Sequence, residues 1–356
     1  MVGRLGVAKF NPMVFALIRE VVAGFLLLLW ALYKDGPVTP RRRDALLFLS
    51  CGFFIFTNQA AFIIGDKLAG AVLGSAWQPT QPVFTLLISI ALRWEQCTFG
   101  KAAGILISFG GAAFMVTYGQ TLSGGVSATR DVVGNLLFFA NCLGTSGYVI
   151  VVKLALARGY PPSTVTAWSY LCGACMMACV ATGFSSNCEL VNFVCPAPAG
   201  GGSVGDLPSY TCGAYENSCE PWAVPPSAVL PLCYWIAFNS CVAYLLMTWA
   251  NKHARAGFVL AYCALQPLVS MLLSTVIISV VGSGADAAHE LTEPGLNALG
   301  SIGVVLGLFV IMYEGRRQHA ADEAASGGHG HGHGLLQHTT QRDAARPTPI
   351  DDPGMH

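Results

Sequence analysis

The sequence predicts an all-α polytopic membrane protein with nine transmembrane helices, and three observations lead to this. Of its 356 residues, 54% are hydrophobic and only 11% are charged, whereas a soluble domain carries about 25% charged residues. Nine apolar stretches are long enough to cross a bilayer, which takes about 20 helical residues. A weak internal repeat relates the two halves of the chain. These features disfavour a large soluble protein with an apolar core.

The nine apolar stretches are joined by short polar links, with one long exception. They cover residues 12–33, 44–64, 68–92, 100–118, 132–154, 162–184, 228–250, 257–281 and 295–313. The long link, 185–227, is rich in glycine, proline and serine and contains no lysine or arginine. Residues 316–356 are polar and of low complexity, which predicts a disordered His/Gly-rich tail.

The distribution of basic residues predicts the orientation. Alternate links collect twelve lysines and arginines on one side, namely Lys34, Arg41, Arg42, Arg43, Arg93, Lys101, Lys153, Arg158, Lys252, Arg255, Arg316 and Arg317. The other side collects only Arg4, Lys9, Lys67 and Arg130. Because cytoplasmic loops carry the excess of basic residues, the first group and the tail are expected in the cytoplasm. Link 185–227 is then exoplasmic.

Cysteines in the exoplasmic link predict disulfides. Cys188, Cys195, Cys212 and Cys219 form an even set in a segment that is expected to meet an oxidising compartment. Four cysteines allow three pairings, and the sequence does not choose among them. Metal ligation and free thiols are the alternatives. Most other cysteines lie in apolar stretches, where the residue behaves as a small hydrophobe.

The internal repeat is the most informative pattern for function. Residues 66–89 align without a gap on 251–274 and are identical at eight of 24 positions. Apolar composition does not easily explain the pairs Lys67/Lys252, Gln81/Gln266 and Pro82/Pro267. At an offset of 196 residues, Gly104, Gly111 and Gly119 match Gly300, Gly307 and Gly315.

The two copies are predicted to have opposite orientations. Lys67 lies in an outward link and its mate Lys252 in a cytoplasmic one, which requires an odd number of spans per copy. Inverted repeats of this kind are typical of secondary transporters, whose sites lie near the midplane between the copies. We assign residues 1–118 to the first repeat, 119–131 to a linker and 132–315 to the second repeat.

Several short motifs then resemble a known family. The stretch Asn11-Pro-Met-Val-Phe-Ala-Leu-Ile-Arg19, the turn Gln81-Pro-Val-Phe-Thr85, Glu95 and the spacing Gly104-x6-Gly111 resemble the EamA type of drug/metabolite transporter. Val133-Gly-Asn-Leu-Leu, Tyr160-Pro-Pro and Thr166-Ala-Trp168 resemble its plant nodulin-like, walls-are-thin-related branch. The likeness covers residues 9–315. It implies ten helices in two inverted five-helix repeats that move small organic solutes.

The start of the chain departs from that pattern. Only four spans precede the second repeat, so the first helix of the family is expected to be missing. Either the gene model is truncated or the protein functions with nine helices. We favour truncation, because an inverted repeat that lacks a helix leaves a gap facing lipid.

Polar side chains inside the spans are the candidate site residues, because buried polar groups in a bilayer are costly and mark transport pathways. The predicted solute-binding residues are Arg19, Asn58, Gln59, Trp77, Gln78, Gln81, Asn239, Tyr262 and Gln266. Asn141 is a further amide, and Tyr170 and Tyr244 are further aromatics. The alternative is that such amides only bond neighbouring helices.

The sharpest site prediction comes from an aromatic–Gln–Pro pattern in both copies. Trp77 precedes Gln81 by four residues, and Tyr262 precedes Gln266 by the same distance. In a continuous helix this spacing puts ring and amide on one face. The following Pro82 and Pro267 are predicted to kink their helices, although kinking for packing alone is the alternative.

Two charged features leave alternatives open. Glu20, next to Arg19, fits either a proton-coupling carboxylate or a pairing near the cytoplasmic half or at a helix interface, and we favour the second. In the tail, His329, His331 and His333 could hold a divalent metal weakly, but a disordered linker is favoured.

The sequence therefore predicts secondary transport of amino-acid-like or small organic acid solutes by alternating access. The alternatives are a divalent-metal transporter with a His-rich sensing tail and a membrane receptor or scaffold without transport. No catalytic constellation and no cofactor motif is visible, so an enzyme is not predicted. The expected partners are a small organic solute and the lipid bilayer, and a homodimer stays open. A net charge of zero gives no case for nucleic acid. The protein is placed in the plasma membrane or a vacuolar or other endomembrane.

Overall fold

The computed structural model describes residues 10–94, 96–118, 126–196, 210–220, 222–253 and 299–327, with eight single positions between 259 and 276. Five helices in this part of the chain are long and apolar enough to cross a membrane. They are Pro12–Asp35, Arg42–Ala69, Thr129–Ala157, Pro162–Ser185 and Val229–His253. By these helices the chain is a predominantly α-helical, multi-pass integral membrane protein. Most of the predicted stretch 257–281 lies outside the described residues.

The described elements follow one another in this order. The helices are α1 (Pro12–Asp35), α2 (Ala45–Ala69), α3 (Ala71–Trp77), α4 (Thr80–Ala91), α5 (Phe99–Tyr118), α6 (Val126–Ala157), α7 (Pro162–Ser185), α8 (Cys188–Val194), α9 (Val229–Tyr234), α10 (Ala243–His253) and α11 (Gly300–Gly327). A π-helical stretch, Trp235–Val242, joins α9 to α10. Short 3₁₀ turns, Arg42–Asp44 and Pro226–Ala228, precede α2 and α9. Two strands, β1 (Tyr210–Cys212) and β2 (Tyr215–Asn217), form an antiparallel hairpin.

The ends of α1 follow from the residues at its termini. The side chain of Asn11 accepts a hydrogen bond from the backbone N–H of Met13 at 3.0 Å, which caps the helix. Pro12 occupies the first turn, where its missing N–H costs nothing. At the other end Gly36 has φ 76°, a left-handed conformation that favours glycine and stops the helix.

The predicted single span 68–92 is instead two helices. α3 ends at Trp77 and α4 begins at Thr80, with a turn at Gln78 and Pro79 between them. The freed carbonyl of Trp77 accepts hydrogen bonds from the Thr80 hydroxyl at 2.7 Å and the Cys142 thiol at 3.4 Å. Protein groups thus replace the lost helical bond, as a break at membrane depth requires. Pro82 lies in the first turn of α4, so the break precedes the predicted kink by a few residues.

Close contacts at glycine fix the central helices. α2 packs against both α6 and α7. A Cβ added at Gly52 would lie 2.9 Å from the backbone N of Gly173, and one at Gly144 would lie 2.8 Å from the backbone N of Asn58. These distances leave no room for a side chain. The glycines therefore bring α2 close enough to both neighbours for short polar side chains to bridge them.

α5 and α11 form an antiparallel pair with a glycine seam. A Cβ at Gly104 would meet the Gly307 carbonyl at 2.7 Å, and one at Gly111 would meet the Gly300 carbonyl at 2.5 Å. Midway between these contacts, the Ser108 hydroxyl donates to the Val304 carbonyl at 3.3 Å. The spaced glycines of the sequence are thus the contact surface of two helices.

The link 185–227 contains the two predicted disulfides. Cys188 pairs with Cys212 and Cys195 pairs with Cys219, with Cα–Cα distances of 5.4 and 5.8 Å. The two disulfides link the first residue of α8 and the residue after its last turn to the β-hairpin region. The disulfide prediction is confirmed, and the structure selects one of the three pairings.

The end of α11 differs from the prediction for the tail. The helix continues past Arg316 to Gly327, so the predicted disordered tail of 316–356 starts too early. The residues after Arg317 include alanines, Gln318 and Glu323, which are good helix formers and extend the helix beyond its apolar part. His329, His331 and His333 lie outside the described residues.

Candidate functional site

A buried polar network runs through the centre of the described helices. We use this name for the side chains Arg19, Asn58, Gln59, Gln78, Gln81, Asn141, Thr145, Tyr170, Tyr244, Cys263 and Gln266. Six of the nine predicted site residues belong to it. Arg19, Asn58, Gln59, Gln78 and Gln81 are each at most 7% exposed.

Arg19 forms one end of the network. Its Nη2 donates to Gln59 Oε1, and Gln59 Nε2 donates to the Tyr170 hydroxyl at 3.2 Å. The guanidinium also stacks on Trp235, with Cζ 4.9 Å from the ring centroid. Two of its nitrogens, Nε and Nη1, have no hydrogen-bond partner among the described residues. Arg19 therefore retains donors that could bind an anionic group.

The neighbouring Glu20 is outside the network. It is fully buried, and neither carboxylate oxygen has a hydrogen-bond partner among the described residues. The sequence favours a pairing of Glu20 near the cytoplasmic half or at a helix interface, and among the described residues no hydrogen bond provides one.

Tyr244 joins this end to the amides of α2 and α6. Its ring packs edge-on against that of Tyr170, with centroids 5.3 Å apart. Its hydroxyl donates to Asn58 Oδ1 at 2.7 Å. Asn58 in turn bonds α6, because its Nδ2 donates to the Thr145 hydroxyl while its carbonyl accepts from Asn141 Nδ2 at 2.9 Å.

The glutamines at the α3–α4 break continue the network. Gln78 Nε2 donates to Asn141 Oδ1 at 3.1 Å, and Gln81 Nε2 donates to Gln78 Oε1. Gln78 and Gln81 thus bond each other across the break. The helix break exposes these side chains to one another and to α6 rather than to lipid.

Residues of the second half of the chain complete the network. The Cys263 thiol donates to Gln81 Oε1 at 3.4 Å, and Gln266 Nε2 lies 4.0 Å from Cys263 Sγ. Gln266 is the repeat mate of Gln81, so two corresponding amides lie on either side of one thiol.

Three predicted residues are not brought into the network. The indole N–H of Trp77 donates to Asn135 Oδ1 at 2.9 Å, and its ring packs against Phe139, so it lies in the seam with α6. Asn239 is half-buried in the π-helical stretch. Tyr262 lies outside the described residues, as does Pro267.

Three contacting residues were missed by the sequence reasoning. Thr145 and Trp235 carry no signal that separates them from other residues of apolar spans. Cys263 does carry one, because at an offset of 185 it is the repeat mate of Gln78. A search at that offset for residues aligned with each predicted amide would have found it.

The chemical groups of the network are polar but mostly uncharged. The network combines neutral amides, hydroxyls and aromatic rings with one guanidinium, which suits a polar organic molecule. In the described part of the chain no group of three or more histidine, cysteine, aspartate or glutamate side chains could hold a metal ion.

Comparisons with known proteins point to transporters. Residues 1–117 match the model of the EamA-like transporter family. A WAT1-related protein of Arabidopsis thaliana is 21% identical over 330 residues, which cover 88% of this chain and 80% of that protein. An uncharacterized transporter of Archaeoglobus fulgidus is 21% identical over 275 residues, covering 76% of this chain and 81% of that protein.

One crystal structure shares the fold. It matches 89% of this chain and 94% of its own, with a TM-score of 0.55 and 16% identity. The resemblance that the sequence motifs predicted is confirmed, and these matches support a membrane transporter. Residues 1–117 carry an EamA-like transporter domain, and most of the chain is related at low identity to a plant WAT1-related protein.

Proposed function

We propose that this protein is a secondary transporter that moves small organic metabolites through the buried polar network by alternating access. The observation that carries the proposal is the contact between Gln81 and Cys263, which joins the two halves of the chain at their corresponding turns. A polar seam between two halves is where a solute could be exposed to each side in turn as the halves rock.

The residues of the network favour a particular class of solute. Arg19 is its only basic residue, whereas a phosphorylated solute would need several basic groups to replace the water around its phosphate. Amides, hydroxyls and tyrosine rings suit a solute with one carboxylate and an apolar or aromatic part. We therefore propose amino-acid-like or small organic acid solutes.

The glycine seam supports two inverted repeats, 1–118 and 132–315, joined by residues 119–131. Gly104 and Gly300 are repeat mates, as are Gly111 and Gly307. In the structure Gly104 meets Gly307 and Gly111 meets Gly300. Such reciprocal contacts arise when a two-fold axis relates two elements.

The position of that axis is supported by a second contact. Ser108 and Val304, which are also mates at the offset of 196, contact each other directly. A residue can touch its own mate only near the axis. The two-fold axis that relates two antiparallel helices runs perpendicular to them. If these helices cross the membrane, the axis lies in the membrane plane, which fits two copies of opposite orientation.

The disulfides support the proposed orientation. Because disulfides persist in oxidising compartments, the link 185–227 is expected to face the exterior or a lumen. The basic links and the tail then face the cytoplasm. The host membrane is proposed to be the plasma membrane or an endomembrane such as that of the vacuole.

Reconstitution tests this function. The purified protein is placed in liposomes and offered labelled amino acids, aromatic acids, Zn²⁺ and Ni²⁺. Saturable uptake of an amino acid or organic acid, absent from empty liposomes, is the expected result. Uptake of the metals alone would favour a metal transporter, and uptake of none would favour a receptor or scaffold.

A further inference from the structure

Glu20 is a fully buried carboxylate that receives no hydrogen bond from the described residues. It lies where three helices meet, because a Cβ built at Gly173 of α7 would be 3.6 Å from Glu20 Oε2 and 3.3 Å from the Gly52 carbonyl of α2. Neither oxygen has a partner among the described residues. An ionised carboxylate is costly to bury without such partners. Binding a proton removes that cost.

Among the described residues, one permanently charged side chain lies close to Glu20. In the part of the chain that the structure describes, the ionisable side chains that interact electrostatically with Glu20 are Arg19 on α1, Tyr170 on α7 and Tyr244 on α10, and Cys51 and Cys172 lie beside the same contact of α2 with α7. The cysteines and tyrosines are ordinarily uncharged near neutral pH. The charge state of Glu20 therefore bears mainly on Arg19.

Arg19 has unused hydrogen-bond donors, whereas Glu20 has unused acceptors. Its Nη2 donates to Gln59, but Nε and Nη1 have no partner among the described residues. When Glu20 is ionised, its negative charge offsets that of the neighbouring guanidinium. When Glu20 is protonated, the guanidinium charge is uncompensated and attracts an anion more strongly.

We propose that Glu20 is a proton-binding site coupled to Arg19, so that a proton on Glu20 and a solute carboxylate on Arg19 bind and cross the membrane together. This proposal rests on the transport function proposed above and names its coupling ion. A proton from water on one side forms an O–H bond with a Glu20 oxygen. That bond breaks when the site opens to the other side, and the proton returns to water there.

The coupling is reciprocal. If the proton raises the affinity for the carboxylate, the carboxylate must raise the affinity for the proton by the same factor. An inward proton gradient is therefore expected to drive solute uptake. Glu20→Gln, which mimics the protonated form, keeps the Arg19 charge available but can no longer exchange a proton.

The first test needs no solute. Infrared difference spectra between acid and alkaline buffer are recorded for the protein in nanodiscs. The wild type is expected to show the C=O band of a buried carboxylic acid, which Glu20→Gln removes. Glu189→Gln, at an exposed position on α8, is the control and should leave the band unchanged. An identical band in Glu20→Gln and wild type would overturn the proposal.

The second test measures coupling in liposomes with labelled L-phenylalanine as the probe. An inward proton gradient is expected to stimulate uptake at least severalfold in the wild type and in Glu189→Gln, but not in Glu20→Gln. If wild-type uptake is the same with and without the proton gradient, proton coupling is overturned, but the proposed transport function is not. If no probe of the uptake panel enters, transport itself fails, and the infrared band still decides whether Glu20 binds a proton.

Discussion

The thiol of Cys263 donates a hydrogen bond to the side-chain carbonyl of Gln81, with Sγ and Oε1 3.4 Å apart. Cys263 is the repeat mate of Gln78, which also bonds Gln81. Gln81 thus contacts Gln78 in the first half of the chain and the repeat mate of Gln78, Cys263, in the second half. A movement of the halves relative to each other must stretch or exchange this contact, as alternating access requires.

Trp77 is expected to stabilise the fold rather than to contact solute. Trp77→Phe removes the N–H that bonds Asn135 and leaves a buried acceptor unpaired, at a cost of about 1–3 kcal/mol. We expect a lower melting temperature in detergent and an unchanged KM for uptake. Trp94→Phe, at an exposed position, is the control. A raised KM of Trp77→Phe with an unchanged melting temperature would instead place Trp77 in contact with the solute.

The glycine seam between α5 and α11 is expected to tolerate no side chain. Gly111→Ala would place Cβ 2.5 Å from the Gly300 carbonyl, which forces the helices apart and costs about 1–3 kcal/mol. Gly110→Ala, one residue away, has no atom within 4 Å of its Cβ. We expect thermal melting to fall only for Gly111→Ala. Equal melting of the two variants would argue against the seam.

The two disulfides are expected to contribute unequally to stability. Each spans 24 residues in sequence, so loop closure alone gives both about the same contribution, roughly 3 kcal/mol. Cys195 and Cys219, however, are buried against Leu68 and Val194, whereas Cys188 is partly exposed.

Serine variants separate these contributions. Replacing Cys195 and Cys219 together buries two hydroxyls and should lower the melting temperature more than replacing Cys188 and Cys212. Peptide mapping without reductant should recover the 188–212 and 195–219 links in wild type. Other pairings, or equal melting of the two double variants, would contradict the structure.

Local signals predicted much of the fold. The predicted stretches 12–33 and 162–184 begin at the residues where α1 and α7 begin. Hydropathy could not show the break inside 68–92, because both halves of that stretch are apolar. The break depends on Pro79 and on the local bonds that satisfy the carbonyl of Trp77.

The same break explains why the site prediction succeeded only in part. The four-residue spacing of Trp77 and Gln81 implied one face, but this holds only in a continuous helix. The turn at Gln78 and Pro79 directs the Trp77 ring to Asn135 and Phe139, while the amides meet Asn141 and Cys263. Residue type alone predicted which side chains are polar and buried, and tertiary packing decided which of them meet.

The central claim is that solute contacts the amides at the interface of the two halves, and uptake by glutamine variants tests it most directly. Initial rates are measured in liposomes for wild type, Gln81→Ala, Gln266→Ala and Gln96→Ala, whose site is exposed, at equal protein abundance. Loss of a hydrogen bond worth about 1.4 kcal/mol lowers uptake roughly tenfold. The account predicts such a loss for Gln81→Ala and Gln266→Ala and none for Gln96→Ala. Wild-type rates in both interface variants would contradict it.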